Sequence, residues 1–329
     1  MQRMTLGLTI TFVLGLLLSP LASAVRPQAR TPRIGIFWLG APAPNAPVFE
    51  AFRQVLDNLG YVEGQNIAFE HRYAPPSIDQ LDSVASDLVQ LNVDVIVALG
   101  TPQAQAAKRA TTQIPIVFTA VADPVEAGLV ESLARPGGNL TGVASLSPEQ
   151  SGKRLELLSA ALPGVSRIAV LWNPADRYNA FEVSVMETVA RGLGVQLQSL
   201  KVRGPEEFER AFEAATQEGA GALSVLATPF IALNMRRIVD LALQHRLPAI
   251  FWSQTFAEAG GLMAYGPSRP EAYQHVAALV GKILKGAKPA DLPVERPMKF
   301  EFIINLKTAD ALGLTIPPIL LFQADKVIR

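Results

Sequence analysis

Two threonines at the ends of apolar runs carry side chains that can bind a ligand. Thr101 and Thr228 each follow a short apolar run and each precede a proline, which fits the first turn of a helix. A hydroxyl beside the backbone N–H groups of a helix N-terminus suits an anionic group such as a carboxylate. The same hydroxyl can cap the helix, and both roles hold at once if the ligand shares the cap.

An acidic residue and two aromatic residues also lie at or just after the ends of apolar runs. Asp123 follows the run 115–119 and can pair with a ligand ammonium, although Asp-Pro also starts turns. Trp38 ends the run that starts at residue 33, and Trp252 ends the run 248–252. Either ring can stack on a planar ligand, and ordinary packing within the strand is the alternative.

Amide, phenol and hydroxyl groups complete the predicted site. Asn173, Tyr178 and Asn179 follow an apolar run and can donate or accept hydrogen bonds, while Asn-Pro at 173–174 also favours a turn. Thr119 and Ser253 stand at the ends of two further runs. The full set of predicted ligand-binding residues is Trp38, Thr101, Thr119, Asp123, Asn173, Tyr178, Asn179, Thr228, Trp252 and Ser253.

Catalytic and metal-binding patterns give no comparable signal. The chain has no cysteine, and its three histidines are far apart with no His-Glu-x-x-His spacing. It also lacks the glycine-rich dinucleotide and phosphate motifs and the Gly-x-Ser-x-Gly turn. We therefore expect a binding protein with no metal, no cofactor and no catalytic residues, and an enzyme ranks last.

The elements that must position these residues repeat once along the chain. The run 33–38 corresponds to 167–172, and Gly60 corresponds to Gly194, at the same offset of 167 − 33 = 194 − 60 = 134 residues. Each glycine fits the end of a helix that precedes the next strand. The repeat therefore predicts two lobes built on one plan of strands and helices.

Alternation of strands and helices sets the predicted fold class: α/β, with two doubly wound parallel-sheet lobes joined by a multi-crossing hinge. Open sheets of this kind bind ligands beyond the carboxyl ends of their strands, so we expect the site between the lobes. The predicted first lobe comprises 32–145 and about 269–296, and the second comprises 146–268 and about 297–329.

The N-terminus predicts export. Arg3 precedes the apolar run 4–18, and Ala22-Ser23-Ala24 has the pattern of a signal-peptide cleavage site, so we expect residues 1–24 to be removed. Without a cysteine the mature chain cannot be a lipoprotein, and we expect it in the periplasm. Loss of Arg3 leaves 28 basic against 29 acidic residues, a charge near −1. We expect a monomer that binds a small-molecule ligand and no nucleic acid.

Six motifs, in order, extend over nearly the whole mature chain. They are Gly100-Thr101-Pro102, the stretches 114–125 and 127–130, Arg135-Pro136-Gly137-Gly138-Asn139-Leu140-Thr141-Gly142-Val143, and the stretches 283–293 and 304–309. With these motifs the chain resembles the periplasmic substrate-binding proteins of ABC transporters of the tryptophan or tyrosine type. The resemblance implies a type I periplasmic binding protein fold. It also implies hinge closure on a small planar or aromatic metabolite, with an amino acid as one candidate, and an ABC transporter permease in the inner membrane as partner.

The sequence leaves open what the protein does after it binds its ligand and which class of ligand it binds. A sensory receptor of the same fold that signals to a membrane partner is the alternative, because fold does not dictate the readout. A transcription regulator of this architecture needs an N-terminal helix-turn-helix, which the export signal contradicts. Nucleobases and sugars remain ligand alternatives beside aromatic metabolites.

Overall fold

Strands gather into two separate sheets in the computed structural model, which describes residues 30–40, 46–74, 80–121, 123–145 and 149–329. The predicted signal peptide and its cleavage site lie outside these ranges. Residues from Pro32 to Arg329 form one unit. No helix within the described ranges combines the length and apolar composition needed to cross a membrane.

The first sheet has five parallel strands in the order β2-β1-β3-β4-β5. Its central strand β3 has the sequence Val-Ile-Val-Ala-Leu and is buried along almost its whole length, because helices cover both faces of the sheet. We call this sheet and its helices the first lobe. Its elements are β1 (Arg33–Leu39), α1 (Ala46–Asn58), β2 (Ala68–Ala74), α2 (Leu81–Gln90), β3 (Val95–Leu99), α3 (Thr101–Ala110), β4 (Ile116–Val121), β5 (Leu140–Ala144) and α10 (Arg269–Leu284).

The second sheet has seven strands in the order β12-β11-β10-β9-β8-β6-β7, and this sheet with its helices is the second lobe. All neighbouring strands are parallel except β10 and β11, because the chain enters β11 after returning from the first lobe. Its elements are α4 (Glu149–Ala161), β6 (Arg167–Trp172), α5 (Arg177–Leu193), β7 (Gln196–Lys201), α6 (Phe208–Gln217), β8 (Ala222–Val225), α7 (Pro229–Leu233), α8 (Met235–Gln244), β9 (Ala249–Phe251), α9 (Gln254–Glu258), β10 (Met263–Pro267), β11 (Phe300–Asn305), α11 (Leu306–Leu312), α12 (Pro318–Gln323) and β12 (Lys326–Ile328).

The repeat and the α/β fold class are confirmed. Strands β1 and β6 each lie inside their sheet with the next two strands of their lobe on either side. Gly194 caps α5 in the left-handed conformation with φ 70°, and Gly60 follows α1 with φ 90°. Glycine adopts these angles without the steric cost that other residues meet.

The chain crosses between the lobes three times. It passes from β5 to α4, from β10 to α10, and from α10 back to β11. The last crossing is tied to the first lobe, because Glu295 N donates to Gly142 O and Ala144 N donates to Glu295 O, each at 2.9 Å. Helix α10 packs beside α1 and against the strands of the first sheet. The three crossings form the hinge region between the two lobes.

Candidate ligand-binding site

One cavity of about 680 Å³ lies where the carboxyl ends of the two sheets face each other. Its lining comes from the residues that end or follow β1, β3, β4 and β5 in the first lobe and β6, β8, β9 and β10 in the second. Parallel α/β sheets hold ligands at this edge because loops and helix N-termini converge there. The volume lies within the range of small-molecule sites, about 300–1,000 Å³.

Most of the predicted site residues meet in this cavity, although they are spread over more than 150 positions of the sequence. Trp38 and Asn179 are the two that do not line it. The predicted residues that do line it are Thr101, Thr119, Asp123, Asn173, Tyr178, Thr228, Trp252 and Ser253.

Trp38 belongs to the core of the first lobe, which corrects the prediction that its ring faces the ligand. It is 6 % exposed and shares a buried cluster with Ile36 and Ile34, the residues two and four positions before it. Side chains alternate across a strand, so these residues share the face of the sheet that α1 and α10 cover. Trp38 Nε1 donates to His71 Nδ1 at 3.0 Å, and the strand's next residue, Leu39, lines the cavity instead.

Asn179 supports the site from behind, which corrects its prediction as a residue lining the cleft. Its side chain is fully buried. Its Oδ1 accepts the backbone N–H of Asn173 at 3.2 Å, and its Nδ2 donates to Ala227 O at 3.1 Å. These bonds join the segment after β6 to the segment after β8, and both segments contribute cavity residues.

The two threonines at helix starts differ in their bonding. Thr228 Oγ1 accepts the N–H of Ile231 at 3.0 Å, so this hydroxyl caps α7. Thr101 is the first residue of α3, where the cap position is Gly100, and no side chain caps the helix. The Thr101 hydroxyl and the first N–H groups of α3 therefore form the more open of the two sites for an anionic group.

Carboxylates outnumber basic groups among the described residues of the lining. Asp123 uses one oxygen, Oδ1, to accept the N–H groups of Val125 and Glu126 at 2.9 and 3.0 Å. Asp176 caps α5 by accepting the N–H groups of the second and third helix residues. Asp123, Glu126 and Asp176 face a single guanidinium in the lining, that of Arg269. This charge balance suits a ligand that carries a positive group.

Burial raises the pKa values of two side chains that the second lobe contributes to the cavity lining. Burial raises the pKa of Asp176, two backbone hydrogen bonds oppose the rise, and the Glu126 carboxylate of the first lobe adds to it. Both residues line the cavity, Asp176 from the second lobe and Glu126 from the first. Burial also raises the pKa of Tyr178, so its phenol stays protonated at neutral pH.

Several lining residues carry polar groups that the sequence reasoning missed. Gln103 is 1 % exposed, and its Nε2 donates to Leu99 O at 3.1 Å. Arg269 and Tyr273 reach the cavity from the first turns of α10 after the second crossing. Pro267-Ser268 at the end of β10 was the available signal for α10, since it marks a strand end followed by a helix start. No cluster of three metal-ligating side chains occurs in the ranges for which the structure gives positions.

Two parallel-sheet lobes, three crossings and a cavity at facing strand ends define a two-lobed ligand-binding protein of the type I periplasmic binding fold. The match to a family model agrees: residues 45–328 match the ABC transporter substrate binding protein family. The chain belongs to this family of substrate-binding proteins.

Known relatives share most of the chain's length. A tyrosine-binding protein from Clostridioides difficile (strain R20291) is 31 % identical over 269 residues, which cover 80 % of this chain and 76 % of the relative. A Streptococcus pneumoniae domain solved in complex with L-Trp is 26 % identical, with a TM-score of 0.80 and coverage of 91 % and 100 % of the two chains. A ligand-free, open substrate-binding protein with adhesive properties from Clostridium difficile is 27 % identical, with a TM-score of 0.70 and coverage of 91 % and 99 %.

Proposed function

We propose that this protein is the periplasmic solute-binding component of an ABC importer and that it binds an aromatic amino acid between its lobes. The observation that carries the proposal is the cavity at the facing strand ends, which gathers charged, hydroxyl and aromatic side chains from both lobes. The relatives named for tyrosine and for L-Trp support the same ligand class.

The cavity offers a partner for each part of an amino acid. Thr101 and the N-terminus of α3 suit the carboxylate. Asp123 in the same lobe, and Asp176 across the cavity, suit the ammonium. Trp252 and Tyr178 supply ring surface for an aromatic side chain. A zwitterion removed from water needs a partner for each of its charges, and this requirement supports the assignment of these groups to the carboxylate and the ammonium.

Closure of the lobes follows from the origin of the lining. Because each lobe supplies part of the cavity, a ligand that contacts both favours the closed arrangement over the open one. The closed protein then presents one shape to an inner-membrane permease. We propose that the chain acts there as a monomer without catalysis, after cleavage behind Ala24.

The test is a ligand screen on the mature chain, residues 25–329, after bound metabolites have been removed by unfolding and refolding. Thermal shift and calorimetry are expected to detect tyrosine, tryptophan or phenylalanine binding, and small-angle scattering is expected to show a smaller radius of gyration with ligand. Ligand recovered after long incubation should be chemically unchanged. Stabilisation by sugars or nucleobases alone would refute the aromatic amino acid, and binding with an unchanged radius would refute closure.

Asp123→Asn gives a matched variant for the ammonium. Asparagine can still accept the N–H groups that Asp123 Oδ1 accepts, so the loop should keep its shape. Loss of the charge should weaken amino-acid binding at least tenfold, about 1.4 kcal/mol, with little change in melting temperature. Glu131→Gln in the same lobe does not touch the cavity and serves as the control for a lost carboxylate.

A further inference from the structure

A fully buried ion pair lies in the second lobe. Arg154 of α4 and Glu182 of α5 both have no exposed side-chain surface, and Arg154 Nη2 lies 3.1 Å from Glu182 Oε1. Burial raises the pKa of the Glu182 carboxyl, and the guanidinium beside it opposes that rise. Burying two charges costs more than packing apolar groups of the same size, so a pair of this kind adds little to stability by itself.

The second oxygen of the Glu182 carboxylate connects this pair to the cavity wall. Glu182 Oε2 accepts a hydrogen bond from Asn179 Nδ2 at 3.2 Å. The same nitrogen donates to Ala227 O, and Asn179 Oδ1 accepts the N–H of Asn173. Both hydrogens of the Asn179 amide and its oxygen are therefore engaged. Asn173 and Ala227 belong to the two second-lobe segments that line the cavity.

The chemistry of residue 182 fixes the orientation of that amide. An ionised carboxylate only accepts hydrogen bonds, so the nitrogen of Asn179, and not its oxygen, must face Glu182. With the amide held this way, its oxygen is the atom available to the Asn173 N–H. An amide turned by 180° would place two acceptors against each other at Glu182 and at Ala227 O. The Arg154 guanidinium opposes the rise in the pKa of Glu182 that burial causes, and so favours the ionised form of this carboxyl.

Helix α4 also links the pair to the hinge. Arg154 lies in the second turn of α4, which begins at Glu149 directly after the first crossing between the lobes. The described contacts thus run from the start of the second lobe through Glu182 and Asn179 to both second-lobe binding segments.

We propose that Arg154 and Glu182 are positioning residues: through Asn179 they hold the segments after β6 and β8 in the arrangement that binds ligand. The affinity consequence rests on the proposed function, whereas the structural consequence can be measured without any ligand. Loss of the network should loosen residues 173–178 and 226–231 together.

Asn305 provides a matched control within the same lobe. It is also a buried asparagine at a helix start, its Nδ2 donates to Ala257 O at 2.9 Å, and its Oδ1 accepts the N–H of Thr308 at 3.2 Å. It does not line the cavity. Asn179→Ala removes three side-chain hydrogen bonds and Asn305→Ala removes two, and only the first variant removes them beside the cavity.

The experiment is hydrogen exchange by mass spectrometry on the ligand-free mature protein, followed by calorimetry with tyrosine and tryptophan. Asn179→Ala should speed exchange in 173–178 and 226–231 at least tenfold and weaken binding at least tenfold. Asn305→Ala should speed exchange only near residues 305–312 and should leave the affinity within about twofold of wild type. Because about 1.4 kcal/mol of binding free energy corresponds to a tenfold change in affinity, this is a change of less than about 0.5 kcal/mol.

A pair of double variants decides the question if Asn179→Ala does not fold. Both double variants remove the two buried charges. Arg154→Met with Glu182→Gln keeps a hydrogen-bond acceptor at position 182, whereas Arg154→Met with Glu182→Met has no acceptor there. The second should show the faster exchange in 173–178 and the weaker binding, at a similar melting temperature. Equal exchange in the two double variants, or faster exchange with unchanged affinity, would overturn the proposal. If exchange changes as expected and wild type binds neither amino acid, the proposed function fails and the positioning role stands.

Discussion

Gly266→Ala tests how the protein holds Trp252 at the cavity. Gly266 lies in β10, where an ideal Cβ would be 1.7 Å from Trp252 O and 2.8 Å from the Trp252 carbonyl carbon. Ordinary contacts begin near 3.4 Å, so the Trp252 backbone and the Cβ must separate by a further 3.4 − 1.7 = 1.7 Å. The obstacle is a backbone carbonyl, which cannot turn away as the end of a flexible side chain can.

The expected cost lies at the upper end of overpacking effects, about 3 kcal/mol of unfolding free energy. For domains of about 150–250 residues this corresponds to a melting temperature roughly 6–12 °C lower. Displacement of Trp252 and Ser253 should also weaken ligand binding at least tenfold, about 1.4 kcal/mol. The effect on binding follows because both residues line the cavity.

Urea unfolding followed by far-UV circular dichroism, together with calorimetric titration of ligand, measures both effects. Gly192→Ala is the control, since Gly192 lies within α5 and an added Cβ there meets nothing within 4 Å. That variant should be up to about 1 kcal/mol more stable, because alanine favours a helix interior over glycine. Wild-type stability and affinity in Gly266→Ala would refute the steric reasoning.

Three further outcomes are expected. Burial raises the folded-state pKa of Asp176, with a smaller contribution from Glu126, so its protonation favours folding. The stabilisation from protonated Asp176 is fully present below the ordinary aspartate pKa and is lost as pH rises through the raised pKa of the folded state. Asp176→Asn keeps a capping oxygen but carries no charge, so it should gain stability relative to wild type as pH rises through this range. Urea titrations from about pH 3.5 to about pH 6.5 measure the difference. Thr228→Val removes the oxygen that accepts the Ile231 N–H and should cost about 1 kcal/mol, whereas Thr228→Ser should cost less than half of that in the same assay. Phe322→Ser changes a side chain that is 88 % exposed and should alter the unfolding free energy by less than about 0.5 kcal/mol.

Sequence patterns predicted buried strands inside the two sheets more completely than strands at the sheet edges. The apolar runs predicted the strands that became β1, β6 and β8, because buried parallel strands are apolar on both faces. Gly60 and Gly194 predicted that strands follow them, but the bounds of β2 and β7 were not predicted, since both strands lie at sheet edges and carry alternating polar residues. An edge strand with one solvated face gives a weaker apolar signal.

The site shows a similar division. Residues just beyond strand ends, such as Thr119 and Ser253, could be predicted because parallel strands of a sheet deliver their ends to one side. The repeat placed Trp38 at a strand end but did not identify which face of the strand it occupies. Pro267-Ser268 indicated the start of α10, but the place of Tyr273 and Arg269 at the cavity was not predicted, because α10 reaches it only through a crossing that joins distant parts of the chain.

Two of the three tryptophans are buried in the lobe cores, so the third can serve as an intrinsic fluorescence probe of the cavity. Trp38 is hydrogen-bonded to His71, and Trp172 donates to Ser199 Oγ at 2.8 Å; both are enclosed in the cores of their lobes. Trp252 alone among them lines the cavity. With a ligand that carries neither an indole nor a phenol, such as phenylalanine, a change in intrinsic emission on binding can therefore be assigned to the Trp252 indole. Binding kinetics can then be followed in the unlabelled wild-type chain, with Trp252→Phe as the spectroscopic blank.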